Sequence, residues 1–83
     1  MKDISTYNDK NQKHGYWEMW YSHNGTSWFK GNYINDKKHG YWEWYWDDGK
    51  IGYKGQYIND KADGYWEWYW HDGELWRKQF YIL

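Results

Sequence analysis

Three glutamates recur at equivalent positions and are the residues best suited to chemistry. Glu18, Glu43 and Glu67 each follow a Gly-Tyr-Trp sequence, and paired carboxylates can carry out general acid–base catalysis. If each segment folds into a hairpin about its turn glycine, the register places a lysine opposite each glutamate: Lys30, Lys54 and Lys78. Equivalent strands would also lie about 10 Å apart. We therefore predict a structural ladder of Glu–Lys pairs, each worth about 0.2–1 kcal/mol, and no catalytic centre.

The histidines are the other residues that could hold a cofactor. His14 and His39 occupy equivalent positions, with Asp63 as the third equivalent, and a metal needs such groups to converge. Neighbouring repeats would hold them about 10 Å apart, so we predict solvent-exposed loop residues. His23 and His71 are predicted turn residues. The chain has neither cysteine nor a phosphate-binding or dinucleotide fingerprint, so we expect no metal, no cofactor and no enzymatic activity.

These residues belong to a sequence that repeats itself. The copies are GYWEMWYSHNG, GYWEWYWDDG and GYWEWYWHDG, which end at Gly25, Gly49 and Gly73, so the period is 24 residues. A fixed period in this range indicates a repeat array, whose units bury apolar surface against their neighbours and usually bind other molecules. We predict one domain over residues 1–83, with repeats at about 8–33, 34–57 and 58–83.

Each aromatic run alternates with period two, which is typical of a strand. In the second copy Trp42, Trp44 and Trp46 would lie on one face. Asp48-Gly49 and Asp72-Gly73 predict two-residue hairpin turns. The first copy has one extra residue, which predicts a three-residue loop at 23–25. The predicted cross-strand pairs are Trp46/Ile51, Trp44/Tyr53 and Trp42/Gly55, then Tyr21/Ser27, Met19/Phe29 and Trp17/Gly31, and finally Trp70/Leu75, Trp68/Arg77 and Trp66/Gln79. A Trp opposite a Gly can lie across the bare backbone.

The hairpins are joined by polar segments, predicted as loops at 35–40 and 59–64. Residues 4–7 resemble the second strand of a missing half-repeat. We therefore predict an all-β fold, an antiparallel sheet of about seven strands made of three hairpins and an N-terminal strand.

Aromatic side chains are expected on both faces of this sheet. One face, with Trp17, Met19, Tyr21 and the alternating tryptophans of the other copies, is assigned to the core. A single sheet can hardly bury its other face as well, and exposed aromatic patches normally mark interaction surfaces. The candidate binding residues on that second face are Tyr16, Trp20, Trp28, Tyr41, Glu43, Tyr45, Tyr65, Glu67, Tyr69 and Trp76.

Charge and composition restrict the partner. With 11 basic and 12 acidic residues the formal charge is −1, and no charge block supplies the basic face that polyanion binding needs. We therefore predict no nucleic-acid partner and disfavour a membrane partner. The absence of cysteine and of a recognisable signal peptide favours the cytoplasm.

The repeat unit resembles the MORN repeat family in its short bacterial and phage form. The resemblance covers roughly residues 7–82 and is carried by Gly40, Trp42, Tyr45, Trp46, Gly49, Tyr57, Asn59, Asp60, Lys61 and Gly64. It implies hairpin repeats in a binding or scaffolding module. Bacterial relatives are often labelled antitoxins, and eukaryotic ones have been linked to membranes and to dimerisation.

Three functions remain open at this point. The first is a non-enzymatic protein-binding or inhibitor module, antitoxin-like or a phage anti-host factor, that uses the second face and forms a homodimer or higher oligomer. The second is a small-ligand binder, in which the same aromatics stack a nucleotide or a glycan. The third is a self-assembling structural protein that pairs through unpaired edges at residues 4–7 and 80–83.

Overall fold

The computed structural model describes residues 3–21 and 25–82 and shows one antiparallel sheet of six strands. Each strand pairs with the next in chain order. No helix occurs in these two ranges. The strands are β1 Gly15–Trp20, β2 Ser27–Ile34, β3 Lys37–Tyr45, β4 Ile51–Ile58, β5 Lys61–Tyr69 and β6 Leu75–Tyr81.

The sheet is a single layer. Its Cα atoms extend over 41 × 37 × 10 Å, and no second sheet or helix covers either face within the described part of the chain. We call the face of Trp42 and Trp44 the first face, and the face of Tyr41, Glu43 and Tyr45 the second face. The prediction of an all-β antiparallel sheet is confirmed.

Residues 4–7 do not form the predicted seventh strand. They touch the rest of the sheet through isolated bridges, Ile4 with Glu18 and Tyr7 with Lys13. Between these bridges residues 4–7 face the longer segment 13–18, so regular pairing is interrupted. Gly15, with φ 97°, lies in the longer segment, and the Thr6 hydroxyl lies 3.1 Å from the carbonyl oxygen of Tyr16. The left-handed glycine therefore produces a bulge where a ladder was expected.

The turns predicted at Asp48-Gly49 and Asp72-Gly73 are longer than predicted. The Trp46 N–H donates to the Lys50 carbonyl at 2.8 Å, which closes a three-residue loop, and Trp70 and Glu74 close the equivalent loop at the same distance. Gly49 has φ 89°, as expected for the last residue of such a loop. The Asp48 carboxylate accepts a hydrogen bond from the Lys50 N–H at 2.9 Å and holds the turn. The prediction for His23 and Asn24 lies outside the described residues.

A bulge beside each of these loops changes the register at the end of the strand. The inner pairs are as predicted: Trp17/Gly31, Met19/Phe29, Trp42/Gly55, Trp44/Tyr53, Trp66/Gln79 and Trp68/Arg77. The outer pairs Trp46/Ile51, Tyr21/Ser27 and Trp70/Leu75 are wrong, because Tyr45, Trp20 and Tyr69 take those places. A one-residue slip moves a side chain to the opposite face.

The polar segments predicted as loops are mostly strand. Asn35 and Asp36, with φ 48° and 70°, form a two-residue turn, and β3 begins directly afterwards at Lys37. Both positions need positive φ in a type I′ turn, which Asn and Asp tolerate. His39 and Asp63 therefore lie inside strands, and their prediction as exposed loop residues is wrong.

The core is a row of aromatics on the first face. Trp42 is 0 % exposed, and a Cβ added to Gly31 would lie 2.1 Å from its indole. Trp66 has the same relation to Gly55. The indoles thus cover glycines of the preceding hairpin, although the cross-strand partner of Trp42 is Gly55.

Tyrosines alternate with these indoles across the sheet. Tyr33 meets Trp17 and Trp42 edge-on, with ring centroids 5.4 and 5.0 Å away, and Tyr57 meets Trp42 and Trp66 in the same way. Each buried indole N–H donates to a carbonyl of the preceding strand or segment, for example Trp42 to Asn32 at 3.1 Å. This geometry explains Gln79: no further tryptophan follows, so the last strand needs no glycine there.

Candidate binding face

The second face collects eight of the ten candidate residues, all except Trp28 and Trp76. Strand alternation places Tyr16, Glu43 and their equivalents on the side opposite the buried tryptophans. Trp28 and Trp76 were predicted on this face as well, but each is the extra residue at a register shift, where alternation is interrupted. The ring of Trp28 lies 5.1 Å from that of Phe29 on the first face, and Trp76 occupies the equivalent position, so the prediction is wrong for these two residues.

A row of alternating charge crosses the middle of this face. Register pairs place its members side by side from the first strand to the last, in the order Glu18, Lys30, Glu43, Lys54, Glu67 and Lys78. The hairpin pairs were predicted, and their pairing is confirmed. The contacts between hairpins, Lys30 with Glu43 and Lys54 with Glu67, were not predicted, because they depend on bulges at Gly40 and Gly64.

In the two inner glutamates of the row, Glu43 and Glu67, each carboxylate oxygen accepts a hydrogen bond from a tyrosine hydroxyl. Tyr41 and Tyr45 both donate to Glu43, at 2.9 and 2.5 Å, and Tyr65 and Tyr69 donate to Glu67 at 2.8 and 2.5 Å. Residues two apart in a strand share a face, so a Tyr-x-Glu-x-Tyr sequence brings both hydroxyls to one carboxylate. Each carboxylate is thereby held as an acceptor and is poorly placed to shuttle protons.

The proton affinities on this face follow from these contacts. Hydrogen bonds from Tyr69 and then Tyr65 hold the pKa of Glu67 below its usual value. The hydrogen bond to Glu67, followed by desolvation, raises the pKa of Tyr69 to about 12. Burial, followed by the hydrogen bond to Glu18, raises the pKa of Tyr16 to about 12. At neutral pH Glu67 is therefore charged, and Tyr16 and Tyr69 are neutral.

The lysines of the row have fewer close contacts than the glutamates. Lys54 forms an ion pair with Glu67 at 3.4 Å, the only one within 4 Å among the residues described. The ammonium of Lys30 lies 5.5 Å from the centre of the Tyr45 ring, within the range of a cation–π contact. Lysine charge on this face is therefore available to a binding partner.

Exposed apolar side chains are concentrated on this face. Tyr41 is 48 % exposed and Phe80 is 69 % exposed, whereas the aromatics of the first face include the fully buried Trp42. Other exposed members of the second face are Tyr16, Ile34, Ile58 and Tyr65. Together they flank the charge row.

Three further aromatics lie at the ends of the first face, where the sequence placed them. Tyr21 contacts Trp28, and Trp70 contacts Trp76, with ring centroids 6.0 and 5.0 Å apart. The indole of Trp46 would lie 3.3 Å from a Cβ on the equivalent residue, Gly52. Trp28 itself packs against Phe29 of the first face, with ring centroids 5.1 Å apart, so these contacts support the assignment of Tyr21, Trp46 and Trp70 to that face.

A shallow depression of about 250 Å³ lies between the rings of Tyr16 and Tyr41. Lys30, Asn32 and Glu43 line it, with the backbone of Gly31 among its walls. It forms where the pairing of β2 and β3 shifts between Lys30 and Asn32. The face thus offers a hollow bounded by two exposed rings.

The histidines and acidic residues do not assemble a further site. Within residues 3–21 and 25–82, no three His, Cys, Asp or Glu side chains come close enough to hold a metal ion. His14 is exposed and accepts a hydrogen bond from the Asn35 N–H at 3.3 Å, and His71 stacks on Trp46 at 3.9 Å. No helix in these ranges could cross a membrane.

Comparison with known proteins assigns no family to this arrangement. No family model matches the chain, and neither a curated protein nor a solved structure matches it.

Proposed function

We propose that the protein is a non-enzymatic protein-binding module that uses the second face as its docking surface. The observation that carries this is a difference in exposure. In the middle of the first face the rings of Trp17, Phe29, Tyr33, Trp42 and Trp66 are buried, whereas Tyr16, Tyr41 and Tyr65 beside the charge row are exposed. Contiguous exposed aromatic surface of this kind is characteristic of protein interaction sites.

The chemistry of the row favours binding over catalysis. A general base needs a carboxylate that can take up a proton, whereas the oxygens of Glu43 and Glu67 are engaged by two tyrosine hydroxyls each. Rigid Tyr and Trp side chains lose little entropy on binding and suit an interface. Balanced charge favours a protein over a polyanion.

The architecture proposed with this function is three tandem MORN-like hairpins preceded by an N-terminal pairing segment. It is supported by the common inner register of β1–β2, β3–β4 and β5–β6 and by the sequence resemblance. That resemblance suggests an antitoxin-like or phage anti-host inhibitor in the cytoplasm, whose face blocks a target protein.

The test compares affinity capture from a host lysate by the wild type and by a Tyr41→Ala, Tyr65→Ala variant. These side chains are exposed, so the fold should survive, as circular dichroism would verify. The matched control is Arg77→Ala, Gln79→Ala, which changes exposed residues of the first face. A stoichiometric protein retained by wild type and control but lost from the tyrosine variant is expected. Equal capture by all three would contradict the proposal.

A small-ligand binder is the second candidate, and the hollow between Tyr16 and Tyr41 is the observation that favours it. Two rings can stack a sugar or base, and Lys30, Asn32 and Glu43 supply hydrogen-bonding groups. Its volume of about 250 Å³ falls below the usual range of ligand pockets. Unchanged tryptophan fluorescence across nucleotide and sugar panels would eliminate this candidate.

A further inference from the structure

The charge row of the second face is complementary to a second copy of the row that runs in the opposite direction. Read from β1 to β6 it alternates acidic and basic residues over six strands, beginning with Glu18 and ending with Lys78. Because the number of strands is even, reversing the order places a residue of opposite charge at every position. An odd number of strands would have paired like charges.

We propose that two copies of the chain stack through their second faces about a twofold axis that runs parallel to the strands, between β3 and β4. This inference rests on the proposed function, since both require the face to bind protein. The symmetry places each row antiparallel to the other. Glu18 then lies opposite Lys78 of the second copy, Lys30 opposite its Glu67, and Glu43 opposite its Lys54.

The side chains beside the row also fit this symmetry. The register pairs Tyr16 with Asn32, Tyr41 with Gln56, and Tyr65 with Phe80, so this second row alternates large and small side chains over most of its length. Reversal brings Tyr65 of the second copy over Asn32, into the hollow bounded by Tyr16 and Tyr41. By symmetry the same contact forms twice.

The size and shape of the face allow a stable interface. Its Cα extents are 41 × 37 Å, more than enough to bury the roughly 800 Å² per partner of a standard interface. Aligned sheets pack about 10 Å apart at about −30°. Other stackings fail electrostatically: a twofold axis along the row sets each charge against its own copy, and an axis centred on one strand pairs like charges.

The test uses the Lys30–Glu67 contact between copies, because these residues are three strands and about 14 Å apart within one chain. Lys30→Glu alone sets Glu against Glu67 of the other copy, twice by symmetry. Glu67→Lys alone sets Lys against Lys30. Each single variant should dimerise at least about 100-fold more weakly in sedimentation equilibrium, since facing like charges cost several kcal/mol.

Combining Lys30→Glu with Glu67→Lys should restore the dimer. An equimolar mixture of Lys30→Glu and Glu67→Lys chains has opposite charges at both contacts, and so does a single chain that carries both substitutions. Rescue by either route supports the stacked geometry, because the two positions cannot meet within one chain. Lys50→Glu, the same charge change in the β3–β4 loop, is the control and should leave dimerisation unchanged.

The outcomes separate this inference from the proposed function. A wild type that stays monomeric, single variants that stay dimeric, or failure of both the mixture and the double variant to dimerise would overturn the stacked dimer. None of these results removes a partner captured through Tyr41 and Tyr65. Conversely, if the tyrosine variant captures the same lysate protein as the wild type, docking of a different protein on this face is contradicted. The stacked dimer would then still be decided by the charge-reversal rescue.

Discussion

At the scale of single residues, the second face is organised by contacts between neighbours two apart on one strand. Glu43 and Glu67 each accept from two tyrosines. In β1 the second tyrosine is replaced by Trp20, and Glu18 accepts from Tyr16 at 2.7 Å. The hydroxyls hold the carboxylates in place, and the carboxylates in turn make ionisation of the tyrosines less favourable.

Glu67→Gln should therefore alter stability in a pH-dependent way. The pKa of Glu67 is lowered in the folded chain and that of Tyr69 is raised to about 12. Glu67 thus stabilises the fold above its unfolded pKa of about 4.3, and Tyr69 does so below its unfolded pKa of about 10. We expect the variant to lose about 1 kcal/mol between these limits. The difference should shrink as pH falls below about 4 or rises towards 12.

Urea unfolding followed by circular dichroism across this pH range provides the measurement. Glu74→Gln is the matched control, because Glu74 is an exposed carboxylate in the β5–β6 loop. A Glu67→Gln deficit of the same size at pH 7 and at pH 11.5 would show that the hydrogen bonds do not control it.

The fold should tolerate Asp60→Asn but not Asp60→Ala. Its carboxylate accepts a hydrogen bond from the Lys38 N–H at 2.7 Å, and its φ is 69°. Alanine loses the acceptor and disfavours positive φ, so we expect a loss of about 1–2 kcal/mol in the free energy of unfolding. Asp60→Asn keeps both features and should cost under about 0.5 kcal/mol. Equal losses in urea titrations would refute this role.

At the scale of elements, glycines decide how neighbouring strands fit. Gly31 and Gly55 receive the indoles of Trp42 and Trp66, whereas Gly40 and Gly64, with φ 83° and 74°, form the bulges that displace β3 and β5 relative to their preceding strands. One kind of glycine provides space, and the other provides backbone conformation. Together they set the contacts between hairpins.

Gly31→Ala should be more damaging than Gly52→Ala. A Cβ at Gly31 would lie 2.1 Å from the ring of Trp42, which is fully buried and has no room to move. At Gly52 the nearest atoms lie at 3.3 Å. We expect losses of about 1–3 kcal/mol for Gly31→Ala and under about 1 kcal/mol for Gly52→Ala in chemical denaturation. Similar losses would mean that Trp42 can be accommodated elsewhere.

At the scale of the whole molecule, the two edges of the sheet differ. The outer edge of β1 is bonded to residues 3–6, including two backbone hydrogen bonds between Ile4 and Glu18 of 2.7 and 3.0 Å. No strand in the described part of the chain pairs with the outer edge of β6. Assembly through edges is therefore a geometric alternative to assembly through the second face; residue 83 of the predicted edge lies outside the described residues.

Small-angle X-ray scattering should separate these assemblies. The Cα radius of gyration of one chain is 13.6 Å. Two sheets stacked about 10 Å apart should give ~15 Å, whereas two six-stranded sheets joined edge to edge should give ~20 Å. We expect the smaller value at a mass of two chains. A dimer of the larger value would favour edge pairing.

Much of this architecture follows from the sequence alone. Period-two aromatics and turn glycines predict antiparallel hairpins, and folding each one about its turn pairs Glu18, Glu43 and Glu67 with the correct lysines. These features depend on residues close in the chain, so local pattern suffices to predict them. Eight of the ten candidate residues share one face for the same reason, whereas Trp28 and Trp76 stand at register shifts and do not.

Only the tertiary structure decided how the hairpins join. Whether Gly49 closes a two- or a three-residue loop, and how far Gly40 displaces β3, depends on the fit of strands that are distant in sequence. Those bulges place Lys30 beside Glu43 and lay Trp42 over Gly31 instead of Gly55. A continuous charge row therefore emerges only when all six strands are packed, because backbone register between hairpins is a collective property of the sheet.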